Sequence, residues 1–555
     1  MSGRAPASLL RQWRRGELPA GVRPELVAGL TVAAMLVPQA MAYAELGGLP
    51  PDAGFRAALV VLPVYVLIGT SRHLGVGPEP GTAILAAAAA ASLAGDDPAR
   101  YAAAMAAIAG IVGALTLAAG LLRLGFVAEL LSKPVLVGYI TGVGLTLLTS
   151  QLRPLTGVPV DADHPVERVG QFVTRLGDVD AETCAVGVAA LVIILAARRF
   201  RPTWPGALLA LGAAMAAVAL IDLDVALVGS IDAAFPDPSV PDVSWGDVAD
   251  LLPAAAGVAL VGYTDNILTA RSIAAGKGYE IDADRELLAL GAMNSASAVS
   301  GGFVVSSSAS RSVVPASIGS RSQLSSMVTL VAVIVLLLVG RSLLAEIPRP
   351  ALAAVIVAAG IAVLDVDGFR RLARIDRAEV ALAAVTCAAV VGVDLLLGVV
   401  VAVGLSMGLT LARVARPHDA VLGEAAGLDG WIDVEDERAS PLPGLLVYRF
   451  DAPLFFANAE HFRDRIVLAL DRNPGVEQTV VLDLEGIGSV DATAVGHLSE
   501  LFVELRERGA DVAIARPNQR VLDTFERAGL LDDLGADAVF PTINAAVAAH
   551  RRRRA

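Results

Sequence analysis

Gly77-Pro78-Glu79-Pro80-Gly81-Thr82 and, much further along, Ser306-Ser307-Ser308-Ala309-Ser310-Arg311 are the two stretches on which the fold turns. Both lie in strongly apolar surroundings. The first cannot be continuous helix, because its two prolines remove backbone donors and clash with the preceding turn. A helix that starts just after such a break points its unpaired N–H groups, here those of Gly81, Thr82 and Ala83, into the protein centre. A helix N-terminus is a ready anion site. The second stretch offers the same setting with hydroxyls, small residues and an arginine. Two such starts facing each other would hold an anion between two positive dipole ends. Small residues at a kink also favour tight helix packing, and for either stretch alone that reading stays open.

A bilayer span needs about 20 mostly apolar residues, and shorter runs suggest broken helices. Twelve apolar stretches occupy residues 26–44, 57–69, 101–122, 134–152, 184–197, 205–220, 251–274, 287–302, 324–339, 344–363, 378–392 and 395–412. The two interrupted segments, 77–91 and 306–318, fall third and tenth among fourteen elements. These are equivalent places in two halves of seven. Paired interrupted segments at corresponding positions point to a transporter's midplane site, and an odd number per half implies inverted halves.

The arginines support this topology through the preference of basic residues for cytoplasmic loops. With the N-terminus inside, even-numbered elements end inside. Those ends carry Arg72, Arg123, the cluster at 198–201, Arg271 with Lys277, Arg370 to Arg377, and Arg413 with Arg416. The long loops on the other side are acidic, with Asp161 and Asp163 in one and Asp222, Asp224, Asp232, Asp237, Asp242 and Asp247 in the other. Arg153 and Arg168 are exceptions. Both termini are therefore expected in the cytoplasm of a bacterial inner-membrane protein.

Composition agrees. The 555 residues are 55% hydrophobic and 18% charged, against about 25% charged in soluble domains, and mean hydropathy is +0.64. The formal charge of -13 argues against a nucleic-acid partner. Lys133 and Lys277 are the only lysines, so nearly every basic residue is arginine, as genomic base composition can dictate. Cys184 and Cys387 lie in apolar stretches without a CxxC spacing, so neither disulfides nor zinc are expected. Arg11, Arg14 and Arg15 precede apolar sequence that continues for hundreds of residues, which reads as a first cytoplasmic segment, residues 1–24, and not as a cleaved signal.

Charged side chains at membrane depth cost at least about 2.5–3.5 kcal/mol and tend to be functional. Three stand out: Glu79 on the third element, Asp265 on the eighth and Arg311 on the tenth. Asp265 and Thr269 share a helix face at i, i+4. A carboxylate with a hydroxyl suits a sodium site or a proton carrier, since a carboxyl shielded from water can exchange protons near neutral pH. Asp265 could instead pair with Arg311 or Arg271 to hold helices together. Gln39 and Tyr43, also i, i+4, give the first helix a polar face. No Ser/His/Asp, metal or nucleotide constellation occurs, so an enzyme is not expected.

From about residue 445 the pattern changes. Strands are expected at 446–450, 479–484 and 512–515, and amphipathic helices at 461–470, 493–508 and 519–528, which makes a small α/β domain over 441–550. The polar stretch 419–440 reads as a linker from the membrane domain, 25–418. Asp491-Ala492-Thr493 opens a helix. Asp491 reads first as an N-cap; the alternative reading is a regulatory phosphorylation point at Thr493.

At these residues the chain resembles the sulfate permease (SulP) family of anion transporters over nearly its full length. Pro38-Gln39-Ala40-Met41-Ala42-Tyr43-Ala44 followed by Gly48-Leu49-Pro50-Pro51 is similar to the family signature on the first helix. So are Gly69-Thr70-Ser71-Arg72-His73 leading to Val76-Gly77-Pro78, and Ser132-Lys133-Pro134-Val135-Leu136-Val137-Gly138. Asn294-Ser295 after Arg285-Glu286-Leu287, and Ser310-Arg311-Ser312, complete five ordered motifs. The resemblance implies a fourteen-element, 7+7 inverted-repeat membrane fold shared with uracil permeases, a core domain moving against a gate domain, and a homodimer. Val490-Asp491-Ala492-Thr493-Ala494 and Ala528-Gly529-Leu530 resemble that family's STAS domain.

Carried over by position, Gln39 and Tyr43 line the anion pocket. Glu79, Pro80 and Gly81 on one side and Ser308, Ala309, Ser310 and Arg311 on the other surround the anion. Asp265 with Thr269 matches a carboxylate–threonine pair that binds sodium in bicarbonate members, and the same carboxylate position is linked to proton coupling in plant sulfate members. Two departures follow. Glu79 stands where many members have an apolar or small residue, and it would repel an anion unless protonated. The phosphorylatable Asp-Ser-Ser-Gly serine of the STAS segment is missing, with Thr493 the nearby hydroxyl. The expectation is proton–oxyanion symport by elevator-like alternating access, with sulfate as the leading anion, H⁺ or Na⁺ as coupling ion and no cofactor. Sodium–bicarbonate symport, a dicarboxylate carrier, and a channel or membrane sensor signalling through STAS are the alternatives.

Overall fold

The computed structural model describes residues 22–554 except 96, 127–131, 161, 163, 201–203, 232–234, 393–394, 426–429, 437–438 and 473–478. Arg11, Arg14, Arg15, Asp161, Asp163, Arg201 and Asp232, on which expectations were placed, lie outside the described residues. The chain forms two compact units, Met1–Ser406 and Met407–Ala555.

The first unit is almost wholly helical: α1 (Val22–Leu46), α2 (Pro51–Ile68), strand β1 (Gly75–Pro78), α3 (Pro80–Ala94), α4 (Pro98–Leu121), α5 (Lys133–Ser150), α6 (Ala181–Phe200) and α7 (Gly206–Ile221). It continues with α8 (Trp245–Lys277), α9 (Ala283–Val299), strand β2 (Val305–Ser308), α10 (Ala309–Ile318), α11 (Leu324–Val339), α12 (Arg349–Val363), α13 (Arg377–Gly392) and the first part of α14 (Leu395–Ala415), with further helices at Leu152–Thr156, Pro165–Thr174, Arg341–Ala345 and Val366–Ile375. Among the described residues, 6 helices are long and apolar enough to cross a membrane.

Helix packing sorts these elements into two sets. α9 packs on α4 and α2, α8 on α4 and α3, and α1 on α2, α10 and α11. In the second set α5 packs on α13 and α12, and α6 on α7 and α12. Contacts of α1 with α12 and α7, and of α3 with α5, link the two.

The interrupted segments are short, as expected, but their breaks pair with each other, which the sequence does not indicate. α3 has 15 residues and α10 only 10, so at about 1.5 Å per residue neither alone matches a hydrocarbon core about 30 Å thick. The breaks before them are short strands that pair antiparallel with each other: Gly75 with Ser308, Val76 with Ser307, Gly77 with Ser306 and Pro78 with Val305. In lipid every backbone polar group must be satisfied within the protein, and this ribbon meets that demand for both halves at once. Gly77 sits at φ 142, a region that favours glycine. Pro80 opens α3, where the lost N–H would be unpaired anyway.

Residues of the remaining family-like motifs anchor the ribbon. Asn294 donates to the Val305 carbonyl at 3.0 Å and accepts from its N–H at 2.9 Å. Ser306 Oγ donates to the Gly262 carbonyl at 2.9 Å, and the Gly75 N–H donates to Ser312 Oγ at 2.8 Å. Glu286, fully buried, accepts from the Thr70 N–H and Oγ1 at 2.8 and 2.6 Å, from Tyr65 Oη at 3.1 Å and from Asn266 at 3.2 Å. It thereby fixes the approach to β1.

The second unit is a mixed sheet with helices on both faces. Its strands are β3 (Asp419–Ala425), β4 (Trp431–Asp433), β5 (Ala439–Ser440), β6 (Leu445–Phe450), β7 (Thr479–Asp483), β8 (Asp511–Ala515) and β9 (Val539–Phe540). The longer helices are α15 (Ala459–Arg472), α16 (Ala492–Glu507), α17 (Gln519–Arg527) and α18 (Ile543–Arg554), with a short one at Leu530–Leu534. Strands run in the order β4-β3-β6-β7-β8-β9, with β6 to β9 parallel. One apolar core gathers Phe450, Phe462, Leu501, Phe502 and Phe525, and the opposite face carries Val447, Val481 and Val547.

The expected linker 419–440 is corrected here. β3 pairs antiparallel with β6, Asp419 opposite Phe450 and Leu422 opposite Val447, with Ala420 and Leu422 buried. Asp419 accepts from Tyr448 Oη and from Arg465 Nε, both at 2.7 Å. Burial, and then the bond to Asp419, push the Tyr448 hydroxyl well up, so it remains a donor. A fragment beginning at residue 441 loses this strand, uncovers an edge of β6 and orphans Tyr448. It is expected to aggregate, whereas one beginning at residue 416 stays monomeric, as size-exclusion chromatography would read.

Candidate functional site

The ribbon register sets the site. α3 begins beside Val305 and α10 beside Gly75, at opposite ends of the paired strands. At about 3.3 Å per strand residue the starts are roughly 10 Å apart along the ribbon. Ser308 is half-buried, and Ala309 and Ser310 are exposed, so the start of α10 opens on accessible space. Ser308 Oγ and Ser310 Oγ lie 3.1 Å apart, and Ser308 makes no side-chain cap.

Arg311 is fully buried and already engaged. Its Nη1 donates to Gln39 Oε1 at 2.7 Å and its Nη2 to the Pro78 carbonyl at 2.9 Å. One guanidinium therefore joins α10 to α1 and to the end of β1. Gln39, expected to face the pocket, turns its oxygen to this brace. Tyr43, 3% exposed, lies within electrostatic reach of both Arg311 and Glu79.

Glu79 revises the expectation of free N–H groups on α3. It is the N-cap of that helix, and its own Oε2 accepts from the Thr82 N–H at 3.0 Å. The Ala83 N–H goes to the Glu79 carbonyl at 3.1 Å. An internal carboxylate thus occupies the position at which the helix start would hold an external anion, with Pro80 and Gly81 forming the turn beneath it. Asp265 accepts from Ser307 Oγ at 3.4 Å, and it lies within electrostatic reach of Glu79. Asp265 and Thr269 are both half-buried, and the Asp265 carboxylate with the Ser307 hydroxyl offers oxygens of the kind a sodium ion takes.

Ser307 lies within the 306–311 stretch, and its hydroxyl reaches Asp265. One contributor was not foreseen: Tyr139 of α5, since a Cβ placed on Gly81 would stand 3.6 Å from its hydroxyl. The only signal available was its place directly after the Ser132 to Gly138 motif. In the second unit Asp491 does cap α16, accepting from the Ala494 N–H at 2.8 Å and also from the Phe456 N–H at 2.9 Å. Thr493 is exposed on the first turn of that helix.

A polytopic fold with paired broken helices around a polar centre is that of a membrane anion transporter, and comparison with known proteins agrees. The sulfate permease family profile matches residues 22–386 and the STAS domain profile residues 438–546. The chain belongs to the sulfate permease family and ends in a STAS domain; its relatives are transporters and not enzymes. A probable sulfate transporter of Mycobacterium tuberculosis is 44% identical over 547 residues, 98% of this chain and 96% of that protein. Probable sulfate transporter 4.2 of Arabidopsis thaliana is 30% identical, covering 94% and 80%. Among solved structures, the murine solute carrier 26 family member A9 anion transporter superposes with a TM-score of 0.90 at 23% identity, over 98% of this chain and 94% of that one. The transmembrane domain of a cyanobacterial bicarbonate transporter gives 0.60 at 23% identity, over 70% and 98%.

Proposed function

We propose that this protein imports a small oxyanion, sulfate first, together with a proton. One observation carries the reading: the Glu79 carboxylate caps α3 in the place an anion would take. While ionised, Glu79 holds the Thr82 N–H and repels a second negative charge. Once protonated it is a weaker acceptor without charge, and the helix start becomes available to the anion. Uptake therefore rises as the pH falls on the side the site faces. The sulfate transporters among the relatives support the choice of anion. The two helix sets, with the site-bearing α1, α3, α8 and α10 in one of them, suit an elevator-like motion of that set against the other. A homodimer in the bacterial inner membrane, with both termini cytoplasmic, completes the reading.

Reconstituted protein, offered labelled sulfate, bicarbonate or fumarate with and without pH and Na⁺ gradients, tests it. Saturable sulfate uptake driven by an inward proton gradient is expected, since a channel would not saturate and a sensor would carry no flux. Glu79→Gln should take up sulfate at alkaline pH as the wild type does at acid pH, with a flattened profile. An unchanged pH profile in that variant removes the proton role of Glu79. The oxygens of Asp265 and Ser307 favour a second reading, sodium–bicarbonate symport. Bicarbonate uptake that needs Na⁺ and loses that need in Asp265→Asn would establish it instead.

A further inference from the structure

Tyr139 lies on α5, which packs in the second helix set, whereas the ribbon, Glu79, Asp265 and Arg311 belong to the first. Its side chain is 6% exposed, and among the described residues its buried hydroxyl has no hydrogen-bond partner. Buried polar groups are nearly always hydrogen-bonded, so an orphan of this kind calls for an explanation. The hydroxyl is aimed at the first turn of α3. The Gly81 Cβ position lies 3.6 Å from it and 3.1 Å from Glu79 Oε2, and both Glu79 and Asp265 act on it electrostatically.

We infer that Tyr139 donates its hydroxyl hydrogen to the transported oxyanion, which bridges it to the N–H groups at the start of α3. This rests on the proposed carriage of an anion at that site and adds a contact from the opposite helix set. The class of ligand follows: an anion with at least two acceptor oxygens, one for each side. Tyrosine suits the role because it carries a neutral donor, which adds no charge beside two carboxyl groups. Phenylalanine at this position would keep the ring packing and remove the donor alone.

The test compares Tyr139→Phe with the wild type in the same proteoliposomes, across pH. Loss of a hydrogen bond to a charged group predicts a KM for sulfate raised about tenfold, with kcat largely kept and the pH profile unmoved. Sulfate protection of the purified protein against thermal unfolding should need a correspondingly higher concentration, a readout independent of flux. An unchanged KM and unchanged protection overturn the inference. So does a shifted pH profile at constant KM, which would make Glu79 the partner of the hydroxyl. A wild type that carries no oxyanion refutes the proposed function itself, and is distinguished by the parent protein's own uptake.

Discussion

Arg311→Ala is expected to lower sulfate uptake at least about 100-fold, about 2.7 kcal/mol in rate. The side chain is fully buried and spends two donors on Gln39 and the Pro78 carbonyl. Its removal leaves two acceptors unsatisfied, at about 1–3 kcal/mol each where water cannot replace it. It also takes the positive charge from a centre that holds Glu79 and Asp265, so an arriving anion meets acids alone. Arg311→Lys restores charge without the planar fork, since an ammonium is a compact point charge, and should recover part of the uptake. Initial rates normalised to inserted protein are the measurement, and near-normal uptake by the alanine variant would remove the brace from the mechanism.

Gly54→Val should prevent the protein from accumulating in the membrane, and Gly54→Ala should fold poorly and transport little. Gly54 lies in the first turn of α2 against α1, where a Cβ would stand 1.9 Å from the Ala40 carbonyl oxygen and 2.5 Å from its carbon. Both are backbone atoms, so no rotamer change relieves the clash. Overpacking costs typically about 1–3 kcal/mol, and rigid contacts lie at the upper end. Small residues are what let membrane helices approach this closely. Ala40 follows Gln39, so even a tolerated shift of α1 draws Gln39 away from Arg311. Expression level and melting temperature in detergent check the first effect, and uptake per inserted molecule the second.

Local chemistry made the centre legible in the sequence. Prolines and glycines at 77–81 break a helix by themselves, the serines at 306–310 favour caps and turns, and the cost of Glu79, Asp265 and Arg311 in lipid marks them singly. What remained hidden depends on distant partners. Arg311 and Gln39 are 272 residues apart, and the chain does not state that one satisfies the other. Glu79 reads as a repulsive neighbour of the anion until its carboxylate is seen turned back on Thr82. Asp419 to Ala425 includes two acids and a glycine, poor strand formers, and extends because β6 offers an edge. Tyr139 follows a recognisable motif, yet the face of an apolar helix on which its hydroxyl falls is decided by packing.

The ribbon also has a consequence for synthesis. Gly77 pairs with Ser306, so the first strand leaves the ribosome about 230 residues before its partner, a delay of roughly 10–45 s at ordinary elongation rates. Throughout that interval the middle of the first half has backbone groups that its own helices do not satisfy. Insertion of the segments around β1 is therefore not a finished event when they leave the ribosome, and the nascent part depends on the translocon or water for its hydrogen bonds. The second half arrives as the template on which the first is completed.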